Sequence, residues 1–213
     1  MDPTGQPPDV ARTPRPYHHG DLATTLLDAG EAELVDKGIE GFSLRGVAKR
    51  AGVSHAAPAH HFGDVDGLLT ALATRGFERF LARQEEFRRQ ARREPRAQLE
   101  ASGVGYVAFA MENPALFRLM FGSRRPDFAS PGLGLAAQAA FDDLARHVAD
   151  VTGNANPPSK DRAALHDVAA TWALAHGLAD LLAAGRLPSL GGLPPRARNR
   201  AIVGILGRAV RSP

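Results

Sequence analysis

The sequence predicts an all-α protein, a small N-terminal three-helix head joined to a larger helical body. Apolar residues recur at spacings of three and four along most segments, and no stretch alternates polar and apolar residues over strand length. The breaks between segments carry Gly, Pro, Ser or Asp, the residues that start and stop helices.

Residues 1–16 hold Pro3, Pro7, Pro8, Pro14 and Pro16 among polar residues, and are expected to be a disordered tail. The head is expected over residues 17–63 and the body over residues 64–213. From Asp21, a candidate cap, Ala23, Leu26, Leu27, Gly30 and Leu34 trace a helix face of about four turns, which Gly38 stops. Ser43 can cap a short helix from Leu44 to Ala51, and Gly52 and Val53 separate it from a second, Ser54 to Phe62.

Asp64 can cap a long helix of roughly 40 Å, whose stripe Leu69, Ala73, Phe77, Phe80, Gln84, Phe87 and Ala91 ends before Pro95. Leu99, Gly103, Tyr106, Val107 and Ala110 repeat the period, Asn113 and Pro114 interrupt it, and Ala115 to Phe121 restart it, giving a bent helix pair. Further helices are expected near Leu135 to Val151, Ser159 to Ala184 and Pro195 to Val210. The segment after Ser159 carries Leu165, Val168, Trp172, His176 and Ala179 on one side and Leu174, Leu178 and Leu181 on another. A helix apolar on two faces implies a partner subunit.

The 213 residues are 44% hydrophobic and 23% charged, the composition of a globular protein of one or two domains. With no cysteine, disulfides, thiolate zinc sites and cysteine nucleophiles are excluded. The longest uncharged stretch, Phe128 to Phe141, is too short for the ~20 apolar residues of a spanning helix, so no membrane partner is expected. The tail lacks the apolar segment of a secretory signal, and a cytoplasmic location is expected.

There are 23 Arg against 3 Lys, and the net charge is only +3. Its distribution says more than its sum. Gly41 to His60 holds Arg45, Lys49 and Arg50 with no acid, and Pro194 to Pro213 holds five arginines with no acid, two patches able to meet a polyanion. No nucleophile elbow, phosphate-cradling glycine loop, metal motif or paired carboxylates occur, so neither enzyme activity nor a cofactor is expected. His18-His19 and His60-His61 are adjacent pairs, about 100° apart on a helix, without carboxylates at ligand spacing, and no metal site is expected of them.

Ser43 to Phe62, SLRGVAKRAGVSHAAPAHHF, has the pattern of a helix-turn-helix: Ala48 at the crossing, Gly52 in the turn, and Val47, Ala51 and Val53 facing inward. Its second helix would turn His55, Ala56, Ala57 and His60 toward a major groove, where small side chains permit close approach to the bases. Two short helices packed in any helical core satisfy the same spacing.

The stretch YHHGDL, KGIEGFSLRGVAKRAGVSHAAP and HHFGDVDGLL, from Tyr17 to Leu69, resembles the DNA-binding domain of the TetR family of bacterial transcriptional regulators. NPALFRLMFG (Asn113 to Gly122) and WALAHGLADL (Trp172 to Leu181) resemble the C-terminal domain of one subgroup, with its Trp and His-Gly pair on a late helix. The resemblance implies a homodimer through the last two helices, a palindromic DNA operator, and a ligand-binding and dimerisation domain that takes a small-molecule inducer.

By position, Arg45, Ser54, His55, Ala56, Ala57, His60 and His61 are the implied operator contacts. Tyr106, Phe109, Phe117, Met120, Phe121, Trp172 and His176 are the candidate ligand contacts, an apolar set with a few polar tips that suits a moderately hydrophobic molecule. The family usually has Tyr where this chain has Ala59, Lys at Val65 and often a basic residue at Thr24. These departures imply fewer phosphate contacts, and leave open a helical small-molecule-binding protein with weakened DNA reading that acts through another partner.

Overall fold

The structure, a computed structural model, describes residues 19–208, with side chains from Leu22 onward. The expected tail, His18 of the first histidine pair and residues 209–213 lie outside the described residues. Ten helices and no strand are found among the described residues: α1 (His19–Lys37), α2 (Leu44–Ala51), α3 (Ala57–Phe62), α4 (Val65–Gln90), α5 (Pro95–Glu112), α6 (Pro114–Gly122), α7 (Pro131–Thr152), α8 (Arg162–Ala183), α9 (Pro188–Gly191) and α10 (Pro195–Leu206).

Helix α1 begins two residues before Asp21, so that residue lies inside its first turn, and its 19 residues make five turns rather than four. Leu26 and Leu34 are buried, and Gly38 ends the helix with φ +66°, which a Cβ would oppose. Helix α2 matches its expected bounds; Ser43 Oγ accepts from the Gly46 N–H at 3.1 Å, and Gly52 takes the left-handed conformation at φ +66°. Gly46 faces the buried Glu33 of α1, whose carboxylate would collide with any Cβ there.

Helix α3 is shorter than expected, starting at Ala57 instead of Ser54. A helix from Ser54 would need an N–H from residue 58 for its first hydrogen bond, and Pro58 has none. Ser54, His55 and Ala56 therefore form a turn, with the Ala57 N–H donating to the Ser54 carbonyl at 3.0 Å.

Asp64 caps α4 as expected, accepting from the Gly67 N–H at 2.8 Å. α5 and α6 are one bent pair broken at Asn113-Pro114. α7 starts four residues before the expected Leu135, because Pro131 is preset for a first helical turn. α8 starts at Arg162, after the expected Ser159, where the Asp161 carboxylate accepts from the Ala163 and Ala164 N–H groups. The expected connector 187–195 contains the short α9, and α10 ends at Leu206, before the expected Val210.

α4 organises the molecule: α1 and α3 pack on it from the head, and α5, α6 and α7 from the body. α8 and α10 lie against α5. One continuous apolar core runs from Leu26 and Val47 in the head through Leu72 and Phe80 to Ile202 in α10.

Candidate functional site

Two features could carry function, an exposed face on the head and a cavity in the body. In the head, Val47 and Ala48 are fully buried, and Ala51 and Val53 pack against the core, as the helix-turn-helix pattern requires. Arg45, Ser54, His55, Ala56 and His60 are exposed; Ala57 and His61 are half-buried. His60 and His61 meet edge to face at 5.7 Å, so one ring of the pair braces the other. The expectation that α3 carries His55 and Ala56 is corrected: both lie in the turn before it, because Pro58 moves the helix start.

The basic patch of the head is smaller than its sequence suggests. Arg50 donates to Glu33 at 2.6 Å and also pairs with Asp36, so its charge is spent on α1. Arg45 and Lys49 remain exposed beside it.

In the body, a cavity of about 520 Å³ lies between α4, α5, α7 and α8. Tyr106, Met120, Phe121, Trp172 and His176 line it, five of the seven residues expected. Phe109 and Phe117 do not reach the cavity and stand behind its wall: the Phe109 ring is 5.4 Å from Phe80, and the Phe117 ring stacks on His176 at 5.3 Å. Both are buried core residues whose helix faces turn toward other rings.

Three cavity side chains form a hydrogen-bonded chain. Trp172 Nε1–H donates to Tyr106 Oη at 3.2 Å, and Tyr106 Oη lies 2.8 Å from His176 Nδ1. Indole can only donate, and the phenol hydrogen has no other acceptor among the described residues, so Tyr106 donates to Nδ1 and the His176 proton sits on Nε2. Burial pushes the Tyr106 phenol well above its ordinary value. Burial also lowers the His176 imidazole, against a weaker opposing pull from Asp180, and both groups are neutral near pH 7.

Sequence reasoning missed the contribution of α4 and α7. Phe77, Phe80 and Gln84 of α4 and Phe141 and Leu144 of α7 line the cavity, and Phe128 borders it from the connecting loop. One signal was present: Gln84 is the polar position in an otherwise mostly apolar stripe. No group of acidic, His or Cys side chains among the described residues is placed to hold a metal ion. No helix among them is long and apolar enough to cross a membrane.

An all-helical fold with an exposed helix-turn-helix head and an apolar cavity in its body defines a class of two-part regulators. Comparison with known proteins agrees. Residues 26–72 match the model for bacterial regulatory proteins of the tetR family, and residues 99–205 match a tetracyclin repressor-like C-terminal domain. The HTH-type transcriptional regulator BetI of Burkholderia ambifaria is 37% identical over 76 residues, 36% of this chain and 39% of that protein. The chain thus spans about two fifths of the curated relatives it matches.

Among solved structures, a protein of unknown function from Rhodococcus sp. RHA1 is similar at a TM-score of 0.72 and 36% identity, over 92% of this chain and 98% of that one. A TetR-like transcriptional regulator from the same organism shares the fold at a TM-score of 0.62 and 19% identity, over 92% and 97% of the two chains. The chain belongs to the TetR family of transcriptional regulators, a family of regulators rather than enzymes, as the resemblance of its two segments implied.

Proposed function

We propose that the protein is a homodimeric, sequence-specific DNA-binding regulator, a repressor of a palindromic operator that a small, moderately hydrophobic inducer releases. The observation that carries this reading is the double role of α4. Its first turns pack on α1 and α3 of the head, while Phe77, Phe80 and Gln84 in its middle line the cavity. A ligand that favours one position of α4 biases the separation of two heads in a dimer, and the operator favours the separation that fits its half-sites.

Arg45, Ser54, His55, Ala56, Ala57, His60 and His61 form the operator surface, with backbone contacts supplying affinity and base edges supplying choice. The second protomer docks on α8 and α10. Leu165, Trp172 and Leu181 leave α8 with exposed apolar surface that a monomer does not cover, which supports this assignment.

Selection of duplexes from a random library by the purified protein, followed by binding isotherms, tests the reading. Recovery of a palindrome is expected. Failure to enrich any sequence with a folded dimer would overturn it.

A further inference from the structure

Gln84 is buried, with 7% of its surface exposed, and its side chain lines the cavity. Its amide, with two donors and an acceptor, makes no hydrogen bond to any described residue, and its atoms are not among the fully enclosed unpaired ones, so they open onto the cavity. Buried polar groups are paired in the great majority of cases, and an unpaired one on a cavity wall is a group kept for something that enters the cavity. Gly105 of α5 lets α4 come close here: a Cβ on Gly105 would come within 2.7 Å of Gln84 Cα, so the two helix backbones touch at this level.

The other polar groups nearby set the chemistry. Ser102 accepts from Arg88 at 2.9 Å and keeps its hydroxyl hydrogen to give. His176 keeps its Nε2 hydrogen once Nδ1 accepts from Tyr106. The charged residues at the cavity are already engaged. Arg96 is held by Glu100 at 3.2 Å and by the Gly207 carbonyl, and Arg88, behind Ser102, is held by Asp143 at 2.8 Å and Glu85 at 2.9 Å. An anion or cation entering here would be stripped of water without a counter-charge of its own.

Resting on the reading of this cavity as a ligand site, we propose that its ligand is a neutral molecule with an apolar body and a carboxamide-like head, one that both accepts and donates, and that Gln84 reads that head. The aromatic wall takes the body; the Gln84 amide pairs side by side with the head, and the Ser102 hydroxyl gives a further hydrogen bond. A head that only accepts satisfies half of Gln84, and a charged head satisfies it only at the cost of an unpaired buried charge.

Trp172 is the only tryptophan and lines the cavity, so its fluorescence reports occupancy. The probes are decanamide, decanoate, decyltrimethylammonium and pentylbenzene, titrated at pH 8 into the full-length protein and into Gln84→Met, with isothermal titration as a second readout. Met matches Gln in length without the amide. Expected in the parent is decanamide binding at least about tenfold tighter than either charged probe, and in Gln84→Met a decanamide loss of about tenfold with pentylbenzene unchanged within about twofold.

Without ligand, Gln84→Met should melt no lower than the parent, because it removes an amide that holds no hydrogen bond to the rest of the protein; a purely structural Gln84 would make it melt lower. Gln84→Leu gives the same comparison if the Met variant does not fold. A charged probe binding tightest, or decanamide affinity surviving the substitution, overturns the proposal and leaves the cavity as a ligand site. No binding by any of the four probes overturns both the proposal and the inducer part of the reading, while the DNA selection still tests the regulator by itself.

Discussion

Among the described side chains, His176 and His147 are the two histidines that burial shifts downward, the first at the cavity wall and the second beside Asp143 on α7. Each is harder to protonate folded than unfolded, where the ordinary value is 6.5. Above pH 6.5 the unfolded chain gains no proton advantage and the full stability is present; as pH falls below it, the unfolded state binds protons first and stability declines toward the lower folded values. The melting temperature is therefore expected to drop between about pH 7 and pH 5, and to drop less in His176→Gln, as melts across that range would record. An unchanged slope in the variant would assign the effect elsewhere.

Residue identity also sets how the head meets DNA. Ala59 is exposed and Val65 opens α4, positions where the family usually carries Tyr and Lys. With Arg50 turned back onto Glu33, the head has few free cations for phosphate. The logarithmic salt dependence of operator binding is expected to fall short of about five contacts per half-site, and Val65→Lys to steepen it by about one per half-site. Isotherms over a salt series measure both.

Among the helices and loops, the segment between α6 and α7 touches the head and the cavity at once. Arg125 donates to Asp66 at 2.7 Å and to the Ile39 carbonyl at 3.2 Å, and the Asp127 N–H donates to Thr70 at 2.9 Å. Ser123 and Phe128, on either side, line the cavity. In the proposed switch, a change in cavity filling that moves Phe128 would pull on the start of α4 and on the turn after α1 through the same eight-residue loop. Arg125→Ala is expected to leave decanamide binding within about twofold of the parent and to reduce the factor by which decanamide changes operator affinity, measured by titrations of DNA with and without it. An undiminished factor would place the coupling in α4 alone.

For the molecule as a whole, the exposed apolar surface of α8 is where the proposed dimer is tested. Leu165 and Leu181 are exposed although both are large and apolar. Leu165→Glu with Leu181→Glu is expected to convert the proposed dimer to a monomer by sedimentation while the helical content by circular dichroism stays unchanged, since neither side chain supports the monomer core. Operator affinity should fall with the dimer, because in the proposed arrangement each protomer reads one half-site.

What could be read in advance follows from the range of the forces involved. Helix periodicity, the Ser43 and Asp64 caps and the Gly38 and Gly52 stops are local, set by residues within a turn or two of one another, and they stand in the structure where the sequence puts them. The helix-turn-helix and the family resemblance were legible for the same reason, each being a contiguous pattern. The α3 start is equally local: Pro58 lacks the N–H that a helix beginning at Ser54 needs.

Tertiary structure alone decided three things: that Phe77, Phe80 and Gln84 share a cavity with Trp172 and His176, that Phe109 and Phe117 stand behind it, and that Arg50 is consumed by Glu33. These depend on how α4, α5 and α8 rotate against one another and on ion pairs between residues distant in the chain. Periodicity marks which face of a helix is apolar, but the packing of one helix on another determines whether that face fills a core or leaves a space for a ligand.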